Sequence, residues 1–371
     1  MSGRPPRAVL ALLTAALTLS ACVALVVVYY AYQARRYASL DHALDGDFPI
    51  EPDEEMGYVP IRNGATFRRH DRAGLAYHVF TSDRRARVNV RFERTPPTVD
   101  LVIVGCSFSW GHGVESEDTY GQVLARRRGL AVANLAFSAW GTVQAVQMLE
   151  RNRDLAPRAV VYGFMADHLK RNLMACAPAY GPLCLPFAHV AFDEAGQPFL
   201  APPDTSLFEP NRRFWRSFFF TKSVGPRQVL AAAEVDWTRL RNRHAPPPDD
   251  ESAPALALTF LLRRMQAAAR SAGSTLVVVN LPYLEPGRTP PAPPALLRAV
   301  EAVRGSGVEL LDLAPVVTSY YRDPNRPSLR FARDRHPNPE AHRLFAGAIE
   351  AFLEARGLRS AAASPARTGD R

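Results

Sequence analysis

Lysine is nearly absent from this chain of 371 residues: of 45 basic side chains, only Lys170 and Lys222 are lysines. The net charge of +9 therefore comes from arginine, spread along the sequence together with abundant alanine. Such dispersal reads as a GC-rich coding bias rather than as a binding surface. No run of basic residues is interleaved with stacking aromatics and no nucleic-acid module is recognisable, so nucleic acid is not the expected partner. Cysteine is scarce as well. Cys22, Cys106, Cys176 and Cys184 match no zinc-ligand spacing, and no metal is expected. Internal repeats are also missing, which removes solenoids and propellers. What remains is an ordinary globular composition, 47% hydrophobic with a mean hydropathy of −0.13. That suffices for one large α/β domain with extras, or for two modest domains.

One apolar run stands apart. Ala8 to Tyr32 is free of charge and dominated by Ala, Leu and Val, longer than the roughly 20 residues that cross a bilayer core. Tyr29, Tyr30 and Tyr32 fall where an aromatic belt would sit. Three readings compete: a cleaved signal peptide, a lipoprotein signal around Leu19-Ser20-Ala21-Cys22, and an uncleaved signal anchor. The first needs a shorter apolar core. The second needs a polar segment after the cysteine, where Val23–Tyr30 continues the run. The anchor, residues 1–32, fits the length. Arg4 and Arg7 before the span and Arg35 and Arg36 after it leave its orientation open.

Residues 33–97 follow as an acidic stalk and a small β-rich lead-in. From Thr98 the pattern becomes strand, loop, helix, repeated. Strands are predicted at Val99–Val104, Leu130–Leu135, Ala159–Phe164, Thr275–Leu281 and Val308–Leu313. Helices are predicted at Asp118–Arg128, Thr142–Asp154, Pro254–Ala272, Pro294–Arg304 and Pro339–Arg356. Three of these helices open on proline, which the first turn tolerates. Strands that are apolar throughout belong to a sheet covered on both faces, and their alternation with helices predicts a parallel doubly wound α/β domain over 98–357. Residues 169–253 break the rhythm with prolines and an aromatic knot (Phe208, Phe214, Trp215, Phe218, Phe219, Phe220), and read as an insertion. Within it, Cys176 and Cys184 enclose a turn-forming stretch; they are either a short disulfide loop suited to an oxidising compartment or two unrelated buried thiols. The tail 358–371 is small and polar and is expected to be disordered.

The chemistry concentrates in two places. Leu101-Val-Ile-Val-Gly-Cys-Ser107 ends an apolar strand in a sharp turn, followed by glycine-punctuated Phe108–Val114. Such a turn exposes a serine hydroxyl beside free backbone N–H groups, the needs of a nucleophile and of a developing oxyanion. Far downstream stands Asp334-Arg-His336-Pro-Asn338-Pro-Glu-Ala-His342. His336 can serve as a base and Asp334 can fix its tautomer. Without that pairing Ser107 is an ordinary turn serine. His342, on the terminal helix, is assigned to packing or capping. His112 either shapes the substrate entrance or is a solvated loop residue, and Cys106 packs under the serine.

Gly105-x-Ser107-Phe108-x-x-Gly111-x-Gly113-Val114 and Asp334-x-His336-x-Asn338 resemble the first and last signature blocks of the SGNH (GDSL-type) hydrolase family. The resemblance covers about residues 98–357. It implies a flavodoxin-like three-layer α/β/α fold, with Ser107 as nucleophile, His336 as base, Asp334 as its partner and no cofactor. In that family a glycine N–H and an asparagine side chain join the serine N–H in the oxyanion hole. Here Ala139 stands at the glycine position and Gly141 comes two residues later. The block after the third strand reads Tyr162-Gly-Phe-Met-Ala-Asp167-His168, without the asparagine. A carboxylate cannot donate to an oxyanion unless protonated, which leaves His168, Asn172 or backbone groups as donors. The expected function is an extracytoplasmic, membrane-anchored serine esterase acting on an ester, O-acetyl above all, of an envelope glycan or lipid. Two alternatives remain: an O-acyltransferase using the same triad, and a non-catalytic assembly or binding protein that keeps the fold.

Overall fold

The computed structural model describes residues 7–38, 42–47, 49–70, 74–177, 185–209, 252–285, 289–304 and 307–357, together with 212, 230, 233, 234 and 287. Its centre is a nine-stranded sheet. Four strands of the lead-in come first: β1 (His42–Gly46), β2 (Ala65–His70), β3 (Leu75–Thr81) and β4 (Arg87–Val88). Five parallel strands follow: β5 (Leu101–Gly105), β6 (Val132–Asn134), β7 (Ala159–Phe164), β8 (Thr275–Asn280) and β9 (Val308–Asp312). The order across the sheet is β1-β2-β3-β4-β6-β5-β7-β8-β9. The parallel part thus runs second-first-third-fourth-fifth, the flavodoxin-like doubly wound order. The predicted fold class is what the chain adopts. The lead-in is continuous with it: β4 pairs antiparallel with β6 through Arg87 and Asn134.

Every residue of β5 and β7 is buried, as expected for strands covered on both sides. Alternate residues feed two separate cores. Val102, Val104, Val160 and Tyr162 pack on one side with helices α4 (Thr142–Arg151), α6 (Ala253–Ser271) and α7 (Pro294–Arg304). Leu101, Ile103, Val161 and Val277 pack on the other with α3 (Tyr120–Arg128), α8 (Ala314–Tyr320) and α9 (Pro339–Ala355). Three short helices escaped the sequence reading, α2 (Ser107–Trp110), α5 (Asp167–Arg171) and α8. Each follows the carboxyl end of a parallel strand and is too brief to show helical periodicity. The helix predicted to reach Asp154 stops at Arg151, because a separate helical turn takes up Arg153–Leu155.

At the N-terminus, helix α1 (Arg7–Ala38) contains a 23-residue segment, Arg7–Tyr29, of mean hydropathy 2.5 that is buried nowhere in the fold. Thr14 and Thr18 return their hydroxyls to the carbonyls one turn earlier, both at 2.9 Å. Their polar groups are thereby satisfied inside the helix, as a lipid environment requires. By length and composition this helix can cross a membrane. Cys22 and Cys106 are free thiols and Cys176 is disulfide-bonded. Cys184 lies outside the described residues, as do Phe214, Trp215, Phe218, Phe219, Phe220 and the tail 358–371.

His342 is fully buried on α9 and its Nδ1 accepts the Tyr120 N–H at 3.2 Å. Burial pushes its pKa down to about 3, so the native state holds it neutral where the unfolded chain, with an ordinary histidine pKa near 6.5, takes up a proton. The unfolded state therefore binds more protons between about pH 6.5 and pH 3, and stability falls with acidification across that window. Chemical denaturation from pH 7 to pH 4.5 should show this slope, and His342→Gln should flatten it by about one proton. An unchanged slope would show that His342 does not contribute.

Candidate active site

Ser107 owes its position to the end of β5. Gly105 has φ +149°, and a Cβ there would lie 2.7 Å from the Gly163 carbonyl oxygen on β7, so only glycine lets the two strand ends approach. The chain turns through Cys106 and Ser107 opens α2, which closes on Gly111 in the left-handed region at φ 83°. The serine therefore sits between β5 and β7, where the order of the parallel strands reverses. In open α/β sheets, ligands bind in this crevice.

The loop after Ser107 is clamped from outside its own motif. Arg87 of β4 is 1% exposed. Its guanidinium donates to the carbonyls of Trp110 at 2.6 Å, of Gly111 and Val114, and of His78 at 3.3 Å. The rings of Trp110 and Tyr77 flank it at 5.4 and 5.8 Å. Burial lowers its pKa to about 10, which leaves it charged at neutral pH. From β6, Asn134 donates its side-chain amide to the Ser109 carbonyl at 2.9 Å.

The base arrives from the other end of the chain. Arg330 and Pro337 form an antiparallel bridge, and Asn338 ties the turn to α9. Its Nδ2 donates to the Ser328 carbonyl at 2.6 Å and its Oδ1 accepts the Ala341 N–H at 3.1 Å. Inside this turn Asp334 Oδ1 accepts the His336 backbone N–H at 2.7 Å and faces its Nδ1 at 2.5 Å. His336 Nε2 lies 2.9 Å from Ser107 Oγ. With Nδ1–H given to the carboxylate, Nε2 is the basic nitrogen. The three residues, 229 positions apart at the extremes, thus form a continuous relay that can take a proton from the serine. Phe108 touches the His336 ring with centroids 5.5 Å apart, and His112 at 4.3 Å. His112 is 6% exposed and meets the Tyr77 hydroxyl at 3.1 Å through Nδ1, so it is a packed loop residue rather than a solvated one. His112, Asp334 and His336 also bring metal-capable atoms within 4.8 Å of one another, but two of them are already committed to the relay.

The candidate oxyanion residues separate. Ala139 lies in a loop tied to β5 by the Phe137 N–H, which donates to the Gly105 carbonyl at 3.1 Å. Its φ is +65°: alanine adopts here the left-handed backbone that a glycine would take freely. Neither Ser107 nor Ala139 gives its N–H to an acceptor among the described residues. Gly141, by contrast, donates to Gln144 Oε1 at 3.1 Å at the start of α4, and is used as a cap. His168 is fully buried, with Nδ1 at 2.7 Å from the Tyr162 hydroxyl, and burial holds its pKa well below the usual histidine range. Asn172 is equally buried and spends its amide on Thr142, accepting its N–H at 2.8 Å and donating to its hydroxyl at 2.9 Å. Both are buried, and His168 Nε2 meets no hydrogen-bond partner among the described residues. Asp167 remains half-exposed and accepts the Tyr283 hydroxyl at 2.7 Å; burial and this carboxylate raise the tyrosine to about 12. Cys106 is buried in an apolar cluster, which raises its thiol pKa and disqualifies it as a nucleophile. Arg87, Tyr77 and Tyr283 had no signal in sequence, since each is isolated from any motif.

Two substitutions probe this geometry. Ala139→Gly relieves a left-handed alanine, worth about 1–2 kcal/mol, against a glycine entropy term of roughly 0.5–1 kcal/mol. A net gain of about 0.5–1 kcal/mol in unfolding free energy is expected, with turnover of a chromogenic ester retained. His112→Ala should lower kcat about tenfold with KM unchanged, by loosening the His336 ring. His112→Phe should restore most of it, and steady-state kinetics of the pair would show otherwise if the packing is unimportant.

No family model matches the chain, and no curated protein matches it. Among solved structures it is similar to TesA, at 13% identity over 69% of this chain and 98% of that one, with a TM-score of 0.34. It is also similar to the psychrotrophic esterase EstA from Pseudoalteromonas sp., at 10% identity, 69% and 98% coverage and a TM-score of 0.36. A carbohydrate esterase family 2 enzyme with a carbohydrate-binding domain from Corynascus thermopiles (Myceliophthora fergusii) is 14% identical, with 85% and 91% coverage and a TM-score of 0.37. The side-chain geometry, not these likenesses, carries the chemistry.

Proposed function

We propose that this chain is a membrane-anchored serine esterase whose catalytic residues are Ser107, His336 and Asp334. The observation that carries the reading is the 2.9 Å approach of His336 Nε2 to Ser107 Oγ, with Asp334 at 2.5 Å from Nδ1. Ser107 Oγ attacks an ester carbonyl as His336 takes its proton, and Asp334 stabilises the resulting imidazolium. The tetrahedral oxyanion is met by backbone donors, for which the N–H groups of Ser107 and Ala139 are the candidates. Collapse expels the alcohol, protonated by His336, and leaves an acyl-serine. Water, deprotonated by the same histidine, releases the acid and restores the enzyme. No step calls for a metal or an organic cofactor.

Helix α1 supports an anchored location, with the α/β domain on the extracytoplasmic side, and the disulfide at Cys176 agrees with an oxidising compartment. There the abundant esters are those of envelope glycans and lipids, so an O-acetyl ester of a glycan is the proposed substrate. Transfer of the acyl group to a glycan hydroxyl differs only in the acceptor that resolves the acyl-serine.

A fluorophosphonate probe should label the purified protein, and Ser107→Ala should abolish labelling. Persistent labelling of the variant, or none of the parent, overturns the assignment. Ser107→Ala and His336→Ala should each lower kcat on a chromogenic acetyl ester by about 10⁵–10⁶-fold. Adding glycan acceptors separates the two fates of the acyl group: hydrolysis leaves them unmodified, whereas transfer acetylates them.

A further inference from the structure

Between β4 and β5 the chain makes a tight turn whose tip faces outward. The Glu93 carboxylate accepts the N–H groups of Asn89 at 2.9 Å and Val90 at 3.2 Å, and the Glu93 N–H returns to the Val90 carbonyl at 3.3 Å. One side is tied to α3 through Asn89 Nδ2 and Gln122 Oε1 at 3.4 Å. The other is tied back through Thr95, whose N–H donates to Asp83 at 3.2 Å and whose hydroxyl meets Ser82 at 2.6 Å. On this braced tip Val90 is 58% and Phe92 66% exposed, and Phe92 is the most exposed aromatic outside α1 among the described residues. Its backbone is left-handed at φ +63°, an outlier for a bulky residue. Strained backbone positions of this kind cluster at functional and ligand-facing sites.

Charge identifies the occupant. The Arg91 guanidinium lies over the Phe92 ring at 4.8 Å and has no carboxylate partner among the described residues. The Arg94 side chain is 83% exposed and pairs with Asp83 at 3.5 Å. Phe92 between two outward arginines, with Val90 beside Arg91 and the Glu93 carboxylate turned onto the backbone of the tip, matches the boundary of a bilayer with anionic headgroups, where rings settle at headgroup depth and guanidinium groups meet phosphates. We propose that the Val90–Arg94 tip is a second membrane contact, resting on the anionic bilayer that holds α1. The proposal rests on the anchored location put forward above. It adds that the α/β domain lies against the lipid surface with Phe92 at the interface.

The test uses the full-length chain in nanodiscs whose acyl chains are brominated, which quenches nearby tryptophan. Phe92→Trp is compared with the parent chain, and Leu19→Trp on α1 serves as the reference for insertion. With one third phosphatidylglycerol, the emission added by each tryptophan should fall by at least a third. Reversing both charges, Arg91→Glu with Arg94→Glu, should abolish quenching at position 92 and leave that at position 19 intact. Quenching at position 19 alone overturns the tip contact and assigns the patch to a protein or glycan instead. Quenching at neither position overturns the anchored location itself, and the tip contact with it.

Discussion

A buried guanidinium, Arg87, with no ion-paired carboxylate among the described residues, holds the serine loop of the candidate site in place. Bringing the charge of Arg87 out of water costs several kcal/mol even after relaxation, and here carbonyl oxygens and two ring faces offset it instead of an acid. Three of those carbonyls belong to the loop immediately after the serine. The loop cannot drift from its position without exposing the charge to a site that no longer solvates it. Everything downstream inherits that constraint: the left-handed turn at Gly111, the seating of His112 against Tyr77, and through His112 one side of the His336 ring. The base is fixed independently, by a hairpin-like turn in which Asp334 binds both the backbone and the ring of His336. Two rigid supports thus meet across a single hydrogen bond.

The parallel sheet and its helices were legible because they are local and repetitive. Five apolar runs, each too short for a helix and without polar alternation, leave little choice but strands covered on both faces. Ser107, Asp334 and His336 were legible for a different reason, since turn glycines and an Asp-x-His spacing constrain chemistry within a few residues. What escaped reading was long-range or conformational. Arg87 is one arginine among many, and burial of such a residue has no local signature. The short helices α2 and α5 arise from the ends of strands rather than from any periodicity. Ala139 is an alanine in the sequence whatever its φ, and only the backbone shows that it imitates a glycine. Gly141 is the converse case: a glycine near the expected place whose N–H is spent on capping α4.

Where the resemblance calls for an asparagine, Asp167 presents acceptors, and its partner is the Tyr283 hydroxyl rather than a reacting oxygen. The nearby polar side chains that looked able to substitute, His168 and Asn172, are buried at α5, where His168 Nδ1 meets the Tyr162 hydroxyl and Asn172 spends its amide on Thr142. The backbone N–H groups of Ser107 and Ala139, neither given to an acceptor among the described residues, are the donors proposed for the oxyanion.

The antiparallel strands before the serine motif have a consequence for inheritance. A stretch beginning at Thr98 contains Ser107, Asp334 and His336, and by its motifs it looks like a complete enzyme. Yet Tyr77 and Arg87 lie upstream of it. The portion that carries the proposed triad and the portion that clamps the serine loop are encoded in succession rather than together. A recombination event at that seam would transmit the reagents without the jig. The antiparallel strands that carry Tyr77 and Arg87 are therefore as much a part of the hereditary unit as the proposed triad they precede.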